Sequence, residues 1–109
     1  MSDPRFKPRA YTTEPNAFGK AASLGWITPV TEAEDDLCRA AQLQHTYAVR
    51  INRRLRDIHK TVRDYSQMTG IGYDRLAKVL RGDAIMRLED IAQAERLLGD
   101  ILDTCDKGR

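Results

Sequence analysis

Apolar residues recur at three- and four-residue steps along most of the chain beyond its first 30 residues, which is the spacing of an amphipathic helix. The first such segment begins near Glu32 and is free of Gly and Pro. It predicts one helix to about His59, or two helices that break within 44–46. The last segment begins near Arg87, and Gly99 interrupts its apolar stripe, so it predicts one helix or two hinged there. The pattern predicts an all-α fold, a compact helical bundle.

Two of the predicted helices begin with a capping box, in which a Thr is followed three residues later by an acidic residue. The two pairs are Thr31 with Glu34 and Thr61 with Asp64. A single helix of roughly thirty residues after Thr31 would exceed the usual length in globular proteins. Its N-terminal half is therefore expected to pack on residues 1–30 or on a second subunit.

Residues 61–82 predict a helix-turn-helix, two short helices joined by a turn that contains two glycines. Gly70 can take the left-handed conformation that ends a helix, Ile71 supplies a buried turn residue, and Gly72 permits a sharp re-entry. In the second helix, 73–80, three apolar residues share one face and a polar set faces outward. The apolar residues are Leu76, Val79 and Leu80, and the polar ones are Tyr73, Asp74, Arg75, Lys78 and Arg81.

Residues 1–30 form a Pro-containing N-terminal arm ahead of the helical domain, 31–109. The arm holds all four prolines and four of the seven aromatic residues, and it has no sustained helical period. A solvated, partly disordered tail is favoured over an arm whose basic side chains contact DNA phosphates or a minor groove. The basic residues in question are Arg5, Lys7, Arg9 and Lys20. An apolar cluster predicts that part of the arm is ordered on the helical core. The cluster consists of Phe18, Leu24, Trp26 and Ile27.

Charge is segregated along this single-domain chain of 109 residues, although its formal net charge is only +2 at pH 7. Residues 50–81 contain nine Lys or Arg against three Asp. Residues 83–109 contain seven acidic residues against four basic ones. The basic segment suits a polyanionic partner, and the acidic segment is expected to face away from it.

The sequence disfavours an enzyme and predicts no metal and no cofactor. Cys38 and Cys105 are isolated, which is typical of reduced structural thiols, and neither His45 nor His59 has a nucleophile and carboxylate at a recognisable spacing. No glycine loop of the phosphate-binding kind is present. No apolar run is long enough to span a bilayer, and the first residues lack the apolar core of a signal peptide, so we expect a cytoplasmic protein.

Residues 61–99 resemble the phage-repressor and Cro-like (Xre-type) helix-turn-helix family of bacterial and phage transcription regulators. The resemblance rests on the turn residues Gly70 and Ile71, on two core positions of the second helix, and on the closing Arg-Gly pair. The core positions are Leu76 and Val79, and the closing pair is Arg81 and Gly82. Tyr65 and Ser66 depart from the leucine and alanine of the family pattern, and the hydroxyl of Ser66 needs a hydrogen-bond partner.

The resemblance implies a sequence-specific regulator of double-stranded DNA, a repressor, whose helix 73–80 enters the major groove. The implied base contacts are Gly72, Tyr73, Asp74 and Lys78, and the implied phosphate contacts are Thr61, Arg63, Arg75 and Arg81. Three further basic residues precede the motif and extend the set of expected phosphate contacts. They are Arg53, Arg56 and Lys60.

The family also implies a homodimer that reads two half-sites, formed through residues 31–50 or through the C-terminal helix. The alternative function is a protein-interaction module, an antitoxin or adaptor with weak or no DNA binding. Asp74 favours this alternative, because a negative charge at a base-facing position opposes DNA.

Overall fold

The computed structural model describes residues 6–102, in which four α-helices form a compact bundle. The helices are α1 (Glu32–Asp57), α2 (Val62–Thr69), α3 (Tyr73–Arg81) and α4 (Leu88–Leu98). Two 3-10 turns, Pro8–Tyr11 and Pro15–Ala17, precede them. The only β pairing in this part of the chain is an isolated bridge between Thr12 and Trp26. The predicted all-α fold is confirmed, and none of the described helices is both long and apolar enough to cross a membrane.

α1 is one unbroken helix, which is the first of the two alternatives that the sequence allowed. Gln44 lies inside the segment where a break was possible, and its buried side-chain amide donates to the carbonyl oxygens of Val79 (2.9 Å) and Ala84 (2.8 Å). The helix ends without glycine. His59 takes a left-handed φ of 59°, and the Lys60 N–H closes the end by donating to a carbonyl five residues earlier.

The first helix of the helix-turn-helix, α2, begins and ends where the sequence predicts. Both bonds of the Thr61–Asp64 capping box form, and Gly70 ends α2 with a φ of 77°. The hydroxyl of Ser66 donates to the carbonyl oxygen of Ile71 at 2.6 Å, which supplies the partner that this serine needs. The departure from the family pattern at Ser66 therefore ties α2 to the turn.

A single helix, α4, ends at Gly99. Beyond it, the N–H groups of Ile101 and Leu102 both donate to Oε1 of Glu95 at 2.9 Å, and Ile101 is fully buried. These bonds turn the chain back onto the bundle, so the second helix that the sequence allowed after Gly99 does not form through Leu102. Cys105 lies outside the described residues, whereas Cys38 is a buried free thiol.

The arm is a structural layer of the fold over residues 6–30. Phe18 is 1% exposed and packs edge-on against the rings of Trp26 and His45. The Arg9 N–H donates to the carbonyl oxygen of Gly82 at the end of α3. Phe18 lies in the buried core and Leu24 and Trp26 pack against it, so the predicted packing is confirmed for these three residues, and the solvated tail does not describe them. The arm also contacts the N-terminal half of α1, where the Cys38 thiol donates to the carbonyl oxygen of Ile27 at 3.9 Å, so it is one of the two partners expected there.

Candidate nucleic-acid interface

The four residues that were predicted to contact bases lie at the start of α3 (Gly72, Tyr73 and Asp74) and in its last turn (Lys78). Gly72 precedes the helix in open space, and Asp74 and Lys78 are exposed. Tyr73, the first residue of α3, is 39% exposed although it is aromatic. Neither Asp74 nor Lys78 forms an ion pair with another described residue. These side chains and the backbone at the start of α3 are therefore accessible to a partner.

Arg63 and Tyr73 form one unit across the helix-turn-helix. The guanidinium carbon of Arg63, in the first turn of α2, lies 4.4 Å from the centroid of the Tyr73 ring. This cation–π contact holds the aromatic ring at the start of α3 and keeps a positive charge beside it. The sequence assigned these residues to separate contacts, because spacing alone does not reveal a contact across the turn.

Arg75 packs α3 against α4. Its guanidinium donates to both carboxylate oxygens of Asp90, at 3.0 and 3.4 Å, and the two side chains are 29% and 10% exposed. The same carboxylate accepts the backbone N–H of Arg87 at the start of α4. Burial raises the pKa of Tyr65 to about 12, and the negative charge of Asp90 also raises it. Arg75 therefore has a structural role, and we leave it out of the proposed phosphate contacts.

Arg81 is shared between the surface and the end of α3. It forms an ion pair with Asp83 at 3.2 Å, and Arg9 of the arm binds the same carboxylate at 3.2 Å. Burial alone would raise the pKa of Asp83, but the two guanidinium groups outweigh this effect and lower that pKa. The Arg81 side chain is still 48% exposed, so it can also reach outward. Arg9, in contrast, anchors the arm.

The basic residues of α1 divide between two faces. Arg50 donates to the carbonyl oxygens of Ile101 and Leu102, and Arg54 donates twice to that of Leu98, at 3.0 and 2.9 Å. Both therefore bind the backbone at the end of α4. Arg53, Arg56 and Lys60 are exposed and form no ion pair within residues 6–102.

A cleft of about 290 Å³ brings part of this second group together with the arm. Arg56, Lys60 and Thr61 line it, and so does Lys20. Arg53 lies outside this cleft and borders a different depression, beside His45. The sequence predicted Lys20 only as one of four basic residues of the arm. The structure places it beside the basic side chains that precede the helix-turn-helix.

His45 is a buried hydrogen-bond acceptor. The Gly19 N–H donates to its Nδ1 at 2.9 Å, and Nε2 has no partner within the described chain. Burial lowers the pKa of His45. The imidazole is therefore neutral and joins the arm to α1. No group of three or more residues that could hold a metal ion occurs in the described part of the chain.

No protein-family model, curated protein or solved structure matches this chain.

Proposed function

We propose that this protein is a sequence-specific double-stranded DNA-binding regulator, a cytoplasmic transcriptional repressor that reads the major groove with α3. The observation that carries the proposal is the accessible outer face of α3. Tyr73 at its start is held against Arg63, and the ammonium group of Lys78 in its last turn has no acidic partner in residues 6–102. The Cro-like resemblance of residues 61–99 supports the same assignment.

Each of the exposed side chains proposed to read bases from α3 has a complementary base edge. Lys78 donates to O6 and N7 of guanine, Asp74 accepts from N4 of cytosine, and Tyr73 packs on a thymine methyl group. Gly72 lets the backbone approach the duplex, because a Cβ is absent there. Each well-formed pairing contributes about 1 to 3 kcal/mol of discrimination between bases. In this arrangement Asp74 selects cytosine rather than opposing DNA.

Phosphate contacts surround this helix. Arg63 and the start of α2 at Thr61 lie on one side, and Arg81 lies at the far end of α3. Arg53 and Arg56 of α1, and Lys60 just beyond the end of that helix, extend the contacts. Because each neutralised phosphate releases counterions, the affinity should fall steeply as salt rises.

We also propose that the regulator is a homodimer, as two half-sites require. An apolar groove of about 430 Å³ lies between α1 and α4, and it touches both segments that the sequence offered for dimerisation. Four exposed apolar side chains line it. They are Leu43, Ile85, Leu88 and Leu102. A second copy of the chain that packs its own groove there would bury the same surface on both subunits.

The groove also favours the alternative function, a protein-interaction module such as an antitoxin or adaptor. An apolar groove beside a helix accepts the apolar face of a helix from another protein. A module of this kind would bind its partner through the groove and show no tight binding to DNA.

Selection of bound duplexes from a random pool tests the proposal, followed by affinity measurements on the selected duplex at two salt concentrations. We expect an inverted repeat and a steep loss of affinity with salt. Lys78→Ala should relax the choice of base at one position of each half-site, whereas Lys7→Ala, another exposed lysine, should leave the selected sequence unchanged. No enrichment above random DNA would favour the interaction module.

A further inference from the structure

We propose that Lys20 of the arm belongs to the DNA-binding surface and completes a phosphate-binding cleft with Arg56 and Lys60. This inference rests on the proposed function and extends it to an element outside the helix-turn-helix. The partner is the backbone of double-stranded DNA next to the bases that α3 reads.

The lining of the cleft is cationic. Lys20, Arg56 and Lys60 are all exposed, and no acidic residue lines the space of about 290 Å³ between them. None of the three forms an ion pair within residues 6–102. Asp64 lies near Lys60, but its carboxylate accepts the Thr61 N–H in the capping box. Three like charges around one concave space favour an anion there.

The backbone next to Lys20 is fixed by buried contacts. The Gly19 N–H donates a hydrogen bond to Nδ1 of His45 at 2.9 Å. The carbonyl oxygen of Gly19 accepts a hydrogen bond from Nδ2 of Asn52 at 3.0 Å. Gly19 has a φ of 77°, and a Cβ at this position would overlap the carbonyl oxygen of Leu80. Only glycine fits between α1 and α3 here. Lys20 is therefore presented from a rigid turn, which reduces the entropy lost when it binds a phosphate.

The place of the cleft favours the DNA backbone. Thr61 lines the cleft and also begins α2, which is the first helix of the proposed reading motif. A phosphate in the cleft would lie beside the first turn of α2, and Arg63 in that turn contacts Tyr73 at the start of α3, so the cleft and the proposed reading helix adjoin the same turn. Lys20 thus lengthens the footprint of each subunit without adding a base contact.

The test compares Lys20→Ala with Lys7→Ala, a matched change at an exposed arm lysine that lies outside the cleft. The loss of one phosphate contact should lower the slope of log affinity against log salt by about 1. Lys20→Ala should weaken binding to the selected and to a random duplex by the same factor. Lys20→Arg should restore the slope, and Lys7→Ala should match the wild type. Unchanged thermal unfolding of Lys20→Ala would show that the fold is intact.

The outcomes separate this inference from the proposed function. If the wild-type protein binds the selected duplex with a steep salt slope and Lys20→Ala keeps that slope, the inference is overturned and the proposed function stands. If the wild-type protein binds no duplex, both fall. Inorganic phosphate titrated against amide shifts of residues 19, 20 and 61 provides a further measurement. The same amide shifts are followed with duplex DNA, and the two titrations are compared at equal concentrations of phosphate groups. If the shifts saturate at a lower concentration with inorganic phosphate than with the duplex, the cleft binds free phosphate and the inference is overturned.

Discussion

His45 illustrates how a single polar residue can be required by packing rather than by chemistry. The residue is 5% exposed, and its imidazole packs edge-on against the rings of both Phe18 and Trp26 and accepts a hydrogen bond from the Gly19 N–H. A protonated imidazole could no longer accept that bond, and its charge would be buried beside Arg50 and Arg53, which border the same depression. The neutral form is therefore the one that holds the arm.

This burial predicts a pH-dependent stability. The pKa of His45 is lower in the folded protein than the ordinary value of 6.5, so the unfolded chain binds more protons as the pH falls below that value. The free energy of unfolding should be constant just above pH 6.5 and should decrease from pH 6.5 towards pH 5. Urea unfolding across this range measures the effect.

The control for this prediction is His45→Gln, which keeps a side-chain acceptor and does not titrate. The variant should lose the slope between pH 6.5 and pH 5. An equal slope in the variant and the wild type would assign the pH dependence to another group.

At the scale of elements, the C-terminal half of α1 divides its basic side chains between two faces. One face binds the end of α4 through Arg50 and Arg54, and another presents Arg56 to the cleft. The positive charges of Arg50 and Arg54 lie beside the C-terminal end of α4 and interact favourably with the negative end of its helix dipole. The basic segment of the sequence is therefore partly a structural device.

Arg54 and Arg56 give a matched pair of substitutions on this helix. Arg54→Ala removes two charge-assisted hydrogen bonds to the Leu98 carbonyl oxygen, which is partly buried, and should lower the free energy of unfolding by about 1 to 2 kcal/mol. Arg56→Ala should leave stability unchanged and lower the salt slope of DNA binding. Urea unfolding and duplex titrations measure both quantities. Equal stability losses in the two variants would contradict this division.

Local signals in the sequence are sufficient to predict most helix boundaries. The Thr61 capping box and Gly70 act through neighbouring backbone groups, so α2 is found where the sequence predicts it. The partner of Arg75 is not predictable in this way. Asp90 lies fifteen residues away, and the sequence gives the charge of Arg75 without the direction of its side chain. The same reason explains why Gly19, His45 and the cleft beside Lys20 require the structure.

At the scale of the whole molecule, the apolar groove and the proposed DNA-binding surface use different parts of the bundle. The groove lies between α1 and α4, whereas the proposed base contacts lie on α3. Leu88, at the start of α4, is 84% exposed and borders the groove. An apolar side chain of this exposure beside a concave apolar surface is typical of an interface.

Leu88→Asp should convert the proposed dimer to a monomer, because it places a charge in the apolar contact. Val30→Asp is the matched control, since Val30 is 87% exposed but does not line the groove. Light scattering after size-exclusion chromatography should give a dimer mass for the wild type and for Val30→Asp, and a monomer mass for Leu88→Asp. A monomeric wild type, or a dimer in all three, would contradict the assignment of the groove.

The pairing of Arg9 with Asp83 joins residues 74 positions apart, and it has a consequence for biosynthesis. The arm leaves the ribosome before Leu80, Gly82 and Asp83, against which it packs. Its contacts with the end of α3 can therefore form only after α1 and α2 have emerged, and the closure of this long loop should come late in folding. A segment made before all four helices thus completes its native contacts only after three of them.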